Sequence, residues 1–165
     1  MSERALETTA SKTLSVVEGA NGFRFQGETL TISTHERVEL INLTERLAAR
    51  VRASGVRNGV ALITSLHTTL ALFINEFQDA LLEDIHTFLE QAVVRGNYYK
   101  HNDPQFSDCD RFNADAHLRA LLLGHHLTLP VKDGELLLGT WQSVILAELD
   151  GPRERALQLQ VLGTA

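Results

Sequence analysis

The order of strand-like and helix-like segments is the feature of this chain that most constrains its fold. Segments rich in alternating or continuous apolar residues, which are typical of β-strands, lie near the beginning, in the middle and in the last third of the 165 residues. Helical patterns separate these groups, without the strict alternation of strand and helix that a doubly wound parallel fold requires. The order therefore predicts a mixed α+β fold.

Apolar runs and turn residues define the predicted strands. Residues 59–66 form a nearly continuous apolar run that is typical of a buried strand, and residues 70–74 form its successor. Lys132-Asp133-Gly134 and Asp150-Gly151-Pro152 supply turns between later strands. The predicted strands cover residues 13–17, 22–25, 29–32, 59–66, 70–74, 126–131, 135–139, 141–149 and 155–162.

Three helices are predicted from caps and apolar faces. Ser33 and Glu36 form a Ser-x-x-Glu capping box, which predicts a helix that runs from there to Gly55. Apolar residues on one face predict a second helix over residues 78–94. Asn113 is a good N-cap for a short third helix that ends before Gly124, at residue 123.

Composition and charge indicate a single globular domain. Residues 1–10 show no periodicity and are predicted to be a loose N-terminal arm, followed by one domain over residues 11–165. The net charge of −6 argues against broad binding to nucleic acid, although a local basic pocket stays open. No apolar run approaches the roughly 20 residues that span a bilayer, and no secretory signal follows Met1. We expect a cytoplasmic protein without membrane or nucleic-acid partners, which suits the lone Cys109.

Three of the seven histidines lie where functional sites are common. His67 follows a strand, His101 lies in the long patternless segment 95–112, and His117 lies near the start of the short helix. Three imidazoles gathered by folding are a common way to hold zinc with one coordination position open. Each histidine taken alone also fits a structural or solvated role. The other four histidines are explained by helix faces and helix ends.

Acidic residues supply candidates for proton transfer. Glu148 lies in an apolar strand, where a carboxylate needs a partner or a raised pKa, so it is the preferred general base or orienting residue. Glu76 and Asp84 are further catalytic candidates, although a carboxylate near a helix start, such as Glu76, also complements the helix dipole.

A phosphorylated ligand would suit the short helix. Asn113 opens this helix with free amide groups, and Arg119 follows about one turn later. The nucleotide-binding loops Gly-x-x-x-x-Gly-Lys and Gly-x-Gly-x-x-Gly are absent from the sequence, as is the Gly-x-Ser-x-Gly elbow of serine hydrolases.

Taken together and in order, seven short motifs resemble those of the YjbQ family, also called the secondary thiamine-phosphate synthase family. The resemblance covers residues 12 to 163. Ala80, Phe77 and Arg119 depart from the residues that are common in the family, and none of these changes affects the three histidines. The motifs are His67-Thr68-Thr69, Asn75-Glu76-x-x-Asp79, Tyr99-x-His101, Asn113-Ala114-Asp115-Ala116-His117, Leu129-Pro130-Val131, Gly139-Thr140-Trp141-Gln142 and Asp150-Gly151-Pro152-Arg153.

The resemblance implies a fold, an assembly and a site. The implied fold is a seven-stranded, two-sheet sandwich of the α+β class with two main helices and one short helix, assembled as a homotrimer. His67, His101 and His117 match histidines thought to hold zinc or another divalent metal. The implied activity is a weak joining of thiamine pyrimidine pyrophosphate and thiazole phosphate. The residues expected to bind substrate are Thr68, Asn113, Arg119, Thr140, Trp141 and Gln142.

Three functional hypotheses follow. The first is a metal-dependent enzyme that acts on a small anionic, phosphorylated metabolite, with Glu148 moving a proton. The second is a module that binds a metal or an anionic metabolite without catalysis. The third is a structural metal at a trimer interface.

Overall fold

The computed structural model describes residues 12–19 and 22–165, so the predicted arm over residues 1–10 lies outside the described residues. The strands are β1 (Lys12–Glu18), β2 (Phe23–Ser33), β3 (Glu39–Asn42), β4 (Asn58–Ser65), β5 (Leu70–Asn75), β6 (His126–Lys132), β7 (Glu135–Leu136), β8 (Ser143–Glu148) and β9 (Glu154–Thr164). The helices are α1 (Thr44–Ser54), α2 (Asp79–Ala92), α3 (Ala114–Leu123) and a short 3-10 helix, Lys100–Asn102.

The strands form two antiparallel sheets, which confirms the α+β class and the two-sheet arrangement. The larger sheet has the order β1-β2-β9-β4-β6-β7, and the smaller sheet has the order β3-β8-β5. The described residues thus contain six and three strands, where the resemblance implied seven in all. The predicted strands 22–25 and 29–32 are one continuous strand, because β9 pairs with β2 without a break from Phe23 to Ser33.

Two apolar clusters fill the spaces between the layers of the fold. Leu30, Ile63 and Leu159 of the larger sheet pack against Leu146 of the smaller sheet and against Leu47 of α1. On the other face of the smaller sheet, Ala71 and Ala147 pack against the helices α2 and α3, which contribute Leu89, Ala116 and Ala120. Alanines on both sides let α3 lie close to β5, because they leave little side-chain volume between the two backbones.

The capping box did not start a helix, so the prediction of a helix from Ser33 was wrong. Ser33 ends β2, and the Glu39 carboxylate accepts hydrogen bonds from the backbone N–H groups of His35 at 2.7 Å and Glu36 at 3.4 Å. Residues 39–42 then pair with β8 as β3. The helix α1 begins only at Thr44 and ends, as predicted, at Gly55, whose φ of 71° favours glycine.

The other two helices match their predictions closely. Gln78 precedes α2, and its side-chain oxygen accepts a hydrogen bond from Leu81 N–H at 2.9 Å. Asn113 and Gly124 flank α3. Among residues 12–19 and 22–165, no helix is long and apolar enough to cross a membrane.

The segment 95–112 lacks a sequence pattern but is held by side-chain contacts. The Tyr98 hydroxyl donates to Asp103 at 2.7 Å, and the Tyr99 hydroxyl donates to the Val94 carbonyl at 2.8 Å. The Lys100 ammonium lies 5.2 Å from the centre of the Phe106 ring. These contacts fix the short 3-10 helix that carries His101.

Candidate functional site

The three predicted histidines lie around two cavities that share one wall. The His101 and His117 rings meet edge to face, with centroids 4.9 Å apart. A cavity of about 330 Å³, the His101 cavity, is lined by Tyr99, Lys100, His101, Ala114, His117 and Leu118. A second cavity of about 260 Å³, the His67 cavity, is lined by Leu66, His67, Thr68, Thr69, Asn113, His117, Arg153 and Arg155. His117 lines both.

Local backbone geometry places His67 at the point where β4 leaves the larger sheet. The Ser65 hydroxyl accepts a hydrogen bond from His67 N–H at 3.2 Å and donates to the His67 carbonyl at 3.1 Å. The Leu66 N–H donates to the Ala156 carbonyl at 3.2 Å. In return, Ala156 N–H donates to Nε2 of the His67 ring at 2.8 Å. The imidazole thus completes the pairing of this end of β4 with β9.

The ring spacing is compatible with a metal held by two of the histidines, but the third is not available to it. Rings that share one tetrahedral zinc have centroids roughly 5 Å apart, given Zn–N distances of about 2.0–2.1 Å, and the 4.9 Å between His101 and His117 agrees with this spacing. Nε2 of His67, however, is occupied by the Ala156 N–H. Within the described part of the chain, no group of three or more histidine, cysteine or acidic side chains is arranged to hold a metal ion.

A cluster of arginines surrounds the buried carboxylate of Asp150. Its oxygens accept hydrogen bonds from Arg37 at 3.0 Å, Arg111 at 2.8 Å and Arg153 at 3.0 Å, and from the Asn113 amide at 2.8 Å. Burial would raise the pKa of Asp150, but the hydrogen bonds from Arg111 and Asn113 and the positive charges outweigh it and hold this pKa below its ordinary value. Asp150 is therefore ionised at neutral pH. We call Arg37, Arg111, Arg153 and Arg155 the arginine cluster.

Glu148 is fully buried and holds Arg155, the last member of the cluster. Arg155 donates to both oxygens of Glu148, at 2.6 Å from Nε and also from Nη2, and to the Thr69 hydroxyl at 3.1 Å. The Thr34 hydroxyl and the N–H groups of Leu149 and Asp150 also donate to Glu148, at 2.8–2.9 Å. Glu148 lines neither histidine cavity, so its geometry suits the positioning of Arg155 rather than proton transfer to a ligand.

The residues expected to bind substrate divide into two groups. Thr68 and Asn113 line the His67 cavity. The Asn113 side chain does not cap α3 but turns to Asp150, and Asn102 accepts the hydrogen bond of the first helical N–H, that of Ala114, at 3.0 Å. Arg119 is buried and donates to the Val93 carbonyl at 2.9 Å, so it ties α3 to the end of α2 and lines neither histidine cavity.

The remaining predicted residues lie apart from the cavities. Thr140, Trp141 and Gln142 are exposed in the connection before β8, where Gln142 accepts a hydrogen bond from Gly139 N–H at 2.8 Å. Glu76 is half-buried just before α2, and Asp84 is exposed on that helix. None of these five side chains lines either histidine cavity.

The sequence reasoning missed the arginine cluster. Arg153 lies just before β9, Arg155 is the second residue of that strand, and a spacing of two residues in extended chain places side chains on the same side. The sequence alone could therefore have suggested that Arg153 and Arg155 act together. The convergence of Arg37 and Arg111 on the same aspartate could not be predicted in this way, because each lies more than thirty residues from Asp150 in the chain.

Both imidazoles that line the His67 cavity favour their neutral form. Burial, and then the charge of Arg155, lower the pKa of His67, although Glu148 opposes them. Burial, and then the neighbouring His101, lower the pKa of His117. At neutral pH the two rings are therefore uncharged, and each carries one N–H donor and one lone pair, of which the lone pair of His67 is taken up by Ala156 N–H.

Sequence comparisons place the chain among known relatives. A UPF0047 protein of Methanothermobacter thermautotrophicus is 46% identical over 134 residues, which cover 81% of this chain and 90% of that protein. A UPF0047 protein of Archaeoglobus fulgidus is 44% identical over 135 residues, which cover 81% of this chain and 98% of that protein. The chain thus matches nearly the whole length of both relatives.

A solved structure and a family model agree with these matches. The crystal structure of a YbjQ-like protein of unknown function from Sulfolobus solfataricus has a TM-score of 0.79 at 37% identity, covering 86% of this chain and 99% of that one. The family model described as UPF0047 protein YjbQ-like matches residues 28–164. The resemblance seen in the motifs is confirmed, and the chain belongs to the YjbQ-like UPF0047 family.

Proposed function

We propose that this protein is an enzyme that binds a small phosphorylated metabolite in the His67 cavity. The observation that carries the proposal is the surplus of positive charge there. Five arginines, the four of the arginine cluster and Arg119, share three carboxylates, Asp115, Glu148 and Asp150, which leaves this network with two positive charges in excess. Arg153 and Arg155 are the members of the network that line the cavity. A chain of net charge −6 concentrates cations at this site, and a phosphate would complete their pairing.

The two cavities suit a substrate with an anionic part and a ring. Arg153, Arg155 and the hydroxyls of Thr68 and Thr69 supply donors for a phosphate in the His67 cavity. The His101 cavity adds the apolar surfaces of Tyr99, Ala114 and Leu118 next to it. Phosphorylated heterocycles have this shape, and both substrates of the activity implied by the resemblance are of this kind.

In that activity, the thiazole nitrogen attacks the pyrimidine methylene carbon. A carbon–nitrogen bond forms while the carbon–oxygen bond to pyrophosphate breaks, and pyrophosphate leaves with the bonding electrons. Arg153 and Arg155, the members of the arginine cluster that line the His67 cavity, would stabilise the negative charge that develops on the leaving group. Glu148 would act as a positioning residue by holding Arg155.

Metal binding is the second candidate, as a module without catalysis. The spacing of the His101 and His117 rings favours it. Zinc or another divalent cation at these two rings would need further ligands from a substrate, from water or from another copy of the chain. No catalytic step in the present proposal depends on the metal.

Following the resemblance, we propose that the enzyme is a cytoplasmic homotrimer. Exposed leucines on α3 support association between copies of the chain, since Leu121 and Leu122 are 72% and 59% exposed. Apolar side chains of this kind are commonly covered in oligomers.

The decisive experiment combines binding and turnover. Purified protein is titrated with inorganic pyrophosphate by calorimetry and is incubated with the two thiamine precursors. We expect Arg153→Gln to weaken pyrophosphate binding about tenfold or more, because it removes a charge-assisted donor. Arg52→Gln is the matched control, since Arg52 pairs with Glu135 on an exposed surface away from the cavity.

The outcomes separate an enzyme from a module that binds an anion without catalysis. Pyrophosphate binding that depends on Arg153, together with formation of thiamine phosphate, supports the enzyme. Binding without turnover of these substrates supports the module that binds an anion. Equal affinities for wild type and Arg153→Gln contradict an anion site in the His67 cavity.

A further inference from the structure

We propose that His67 is an anion-binding residue fixed in the Nδ1–H tautomer, and that it is not the third ligand of a metal. This inference rests on the proposed function, because it assigns His67 a role toward the anion in the same cavity. It separates His67 from His101 and His117, with which the sequence grouped it.

The hydrogen bond between Ala156 N–H and Nε2 of His67 determines the tautomer. A nitrogen that accepts a hydrogen bond carries its lone pair there, and a neutral imidazole has one protonated nitrogen. With Nε2 as the acceptor at 2.8 Å, the proton lies on Nδ1. Neither nitrogen then offers a free lone pair to a metal.

The fold explains why this hydrogen bond is retained. The ladder between β4 and β9 ends at the pair Ser65–Leu157, and Leu66 N–H still reaches the Ala156 carbonyl. The Ala156 N–H on the same residue then lacks a backbone acceptor on β4, and the His67 ring supplies one. Turning the ring toward a metal would leave this N–H unpaired, which costs free energy at a half-buried position.

The Nδ1–H group is the part of His67 that is left for a ligand. No described residue accepts a hydrogen bond from Nδ1, and the ring lines the same cavity as Thr69, Arg153 and Arg155. A neutral N–H donor beside two guanidinium groups suits a phosphate oxygen. His67 would therefore orient the anion without adding to the positive charge.

Nuclear magnetic resonance tests the tautomer directly. In long-range ¹H–¹⁵N spectra of the full chain at pH 7.5, with His67 assigned by its absence in His67→Gln, we expect Nδ1 to be protonated and Nε2 to be unprotonated. Inorganic pyrophosphate should shift the Nδ1 resonance. A protonated Nε2 in the wild-type protein would overturn the proposal.

Two substitutions test the role. Glutamine can accept from Ala156 N–H and donate into the cavity, so His67→Gln should retain pyrophosphate affinity within about threefold, whereas His67→Leu should lose about tenfold or more. In a titration with zinc alone, His67→Gln should match the wild type. A tenfold loss of zinc affinity in His67→Gln, or equal pyrophosphate affinity in His67→Leu and wild type, would contradict the assignment.

The same measurements distinguish failure of this inference from failure of the proposed function. If pyrophosphate binds and depends on Arg153 but not on His67, the cavity binds anions and only the role of His67 is wrong. If the wild-type protein binds no pyrophosphate, the proposed function fails, and the donor role of His67 fails with it whichever tautomer is observed.

Discussion

The interior between the two sheets and the turn between β8 and β9 are stabilised in different ways. Between the sheets the buried cluster consists of hydrocarbon side chains such as Leu30, Ile63 and Leu146. Two residues further along, β8 ends at the charged Glu148, and Asp150 follows in the turn; both are fully inaccessible to solvent. Buried ion pairs are weak contributors to stability compared with well-packed hydrocarbon of the same volume. The contrast indicates that the packed hydrocarbon of the sheet interior stabilises the fold, and we propose that the charged turn serves the anion site.

The largest change in stability is expected when a charged residue of the turn between β8 and β9 is removed. Glu148→Ala leaves the Arg155 guanidinium buried without its partner, so we expect the free energy of unfolding to fall by about 4 kcal/mol. Urea denaturation measures it. The double variant Glu148→Leu, Arg155→Leu should recover most of this loss but should not bind pyrophosphate. If the single and double variants are equally destabilised, the Glu148–Arg155 ion pair stabilises the fold more than hydrocarbon side chains can, which contradicts the comparison of the two regions.

The next largest change in stability is expected when a side chain between the two sheets is truncated. Leu146→Ala removes buried hydrocarbon between the sheets and should lower the free energy of unfolding by about 3 kcal/mol, through lost burial and the cavity left behind. The folded protein should bind pyrophosphate as the wild type does. Calorimetry under native conditions checks the binding, and a tenfold loss of affinity would mean that the two regions are coupled.

A smaller effect is expected on the stability of the protein at low pH. The pKa of Asp150 is lower in the folded protein than in the unfolded chain, so the unfolded chain binds more protons as the pH falls. The ionised Asp150 therefore stabilises the folded protein above the pKa of the unfolded state, and this stabilisation is lost as the pH falls through the pKa of the folded state. We expect Asp150→Asn to be less stable than wild type at pH 7, and to lose less of its stability between pH 5 and pH 3. Urea titrations at several pH values test this. If the free energy of unfolding falls with pH equally in wild type and in Asp150→Asn, Asp150 does not contribute to the loss of stability in acid.

The smallest expected effect is that of the surface control. Arg52 and Glu135 form an exposed pair, so Arg52→Gln should change the free energy of unfolding by less than about 0.5 kcal/mol. Thermal denaturation is sufficient to measure it. A larger change would mean that exposed ion pairs in this protein contribute more than the comparison of the two regions assumes.

The sequence was most informative where apolar patterns act locally. The runs over residues 59–66 and 70–74 became β4 and β5, and Gly55 and Gly124 follow the ends of helices. The capping box at Ser33 gave a wrong prediction because Ser33 pairs with Glu154 of β9, and Glu39 supplies the acceptor for the N–H groups of His35 and Glu36. Long-range pairing outweighed a local propensity.

The proximity of the three histidines was predictable from the sequence, but the concentration of charged side chains beside them was not. His67, His101 and His117 were identified from their settings, and the structure brings them around two cavities. The charge balance depends on contacts between residues far apart in the chain, such as Arg37 with Asp150, and no local pattern specifies these. Glu148 was recognised as a buried carboxylate in need of a partner, but that partner, Arg155, emerged only from the fold.

A crystal structure of the protein grown with inorganic pyrophosphate would test the anion site most directly. We predict that the anion lies in the His67 cavity, with oxygens within hydrogen-bond distance of Arg153 and of Nδ1 of His67. Pyrophosphate bound elsewhere, with the His67 cavity filled only by water, would contradict the assignment of this cavity as the anion site.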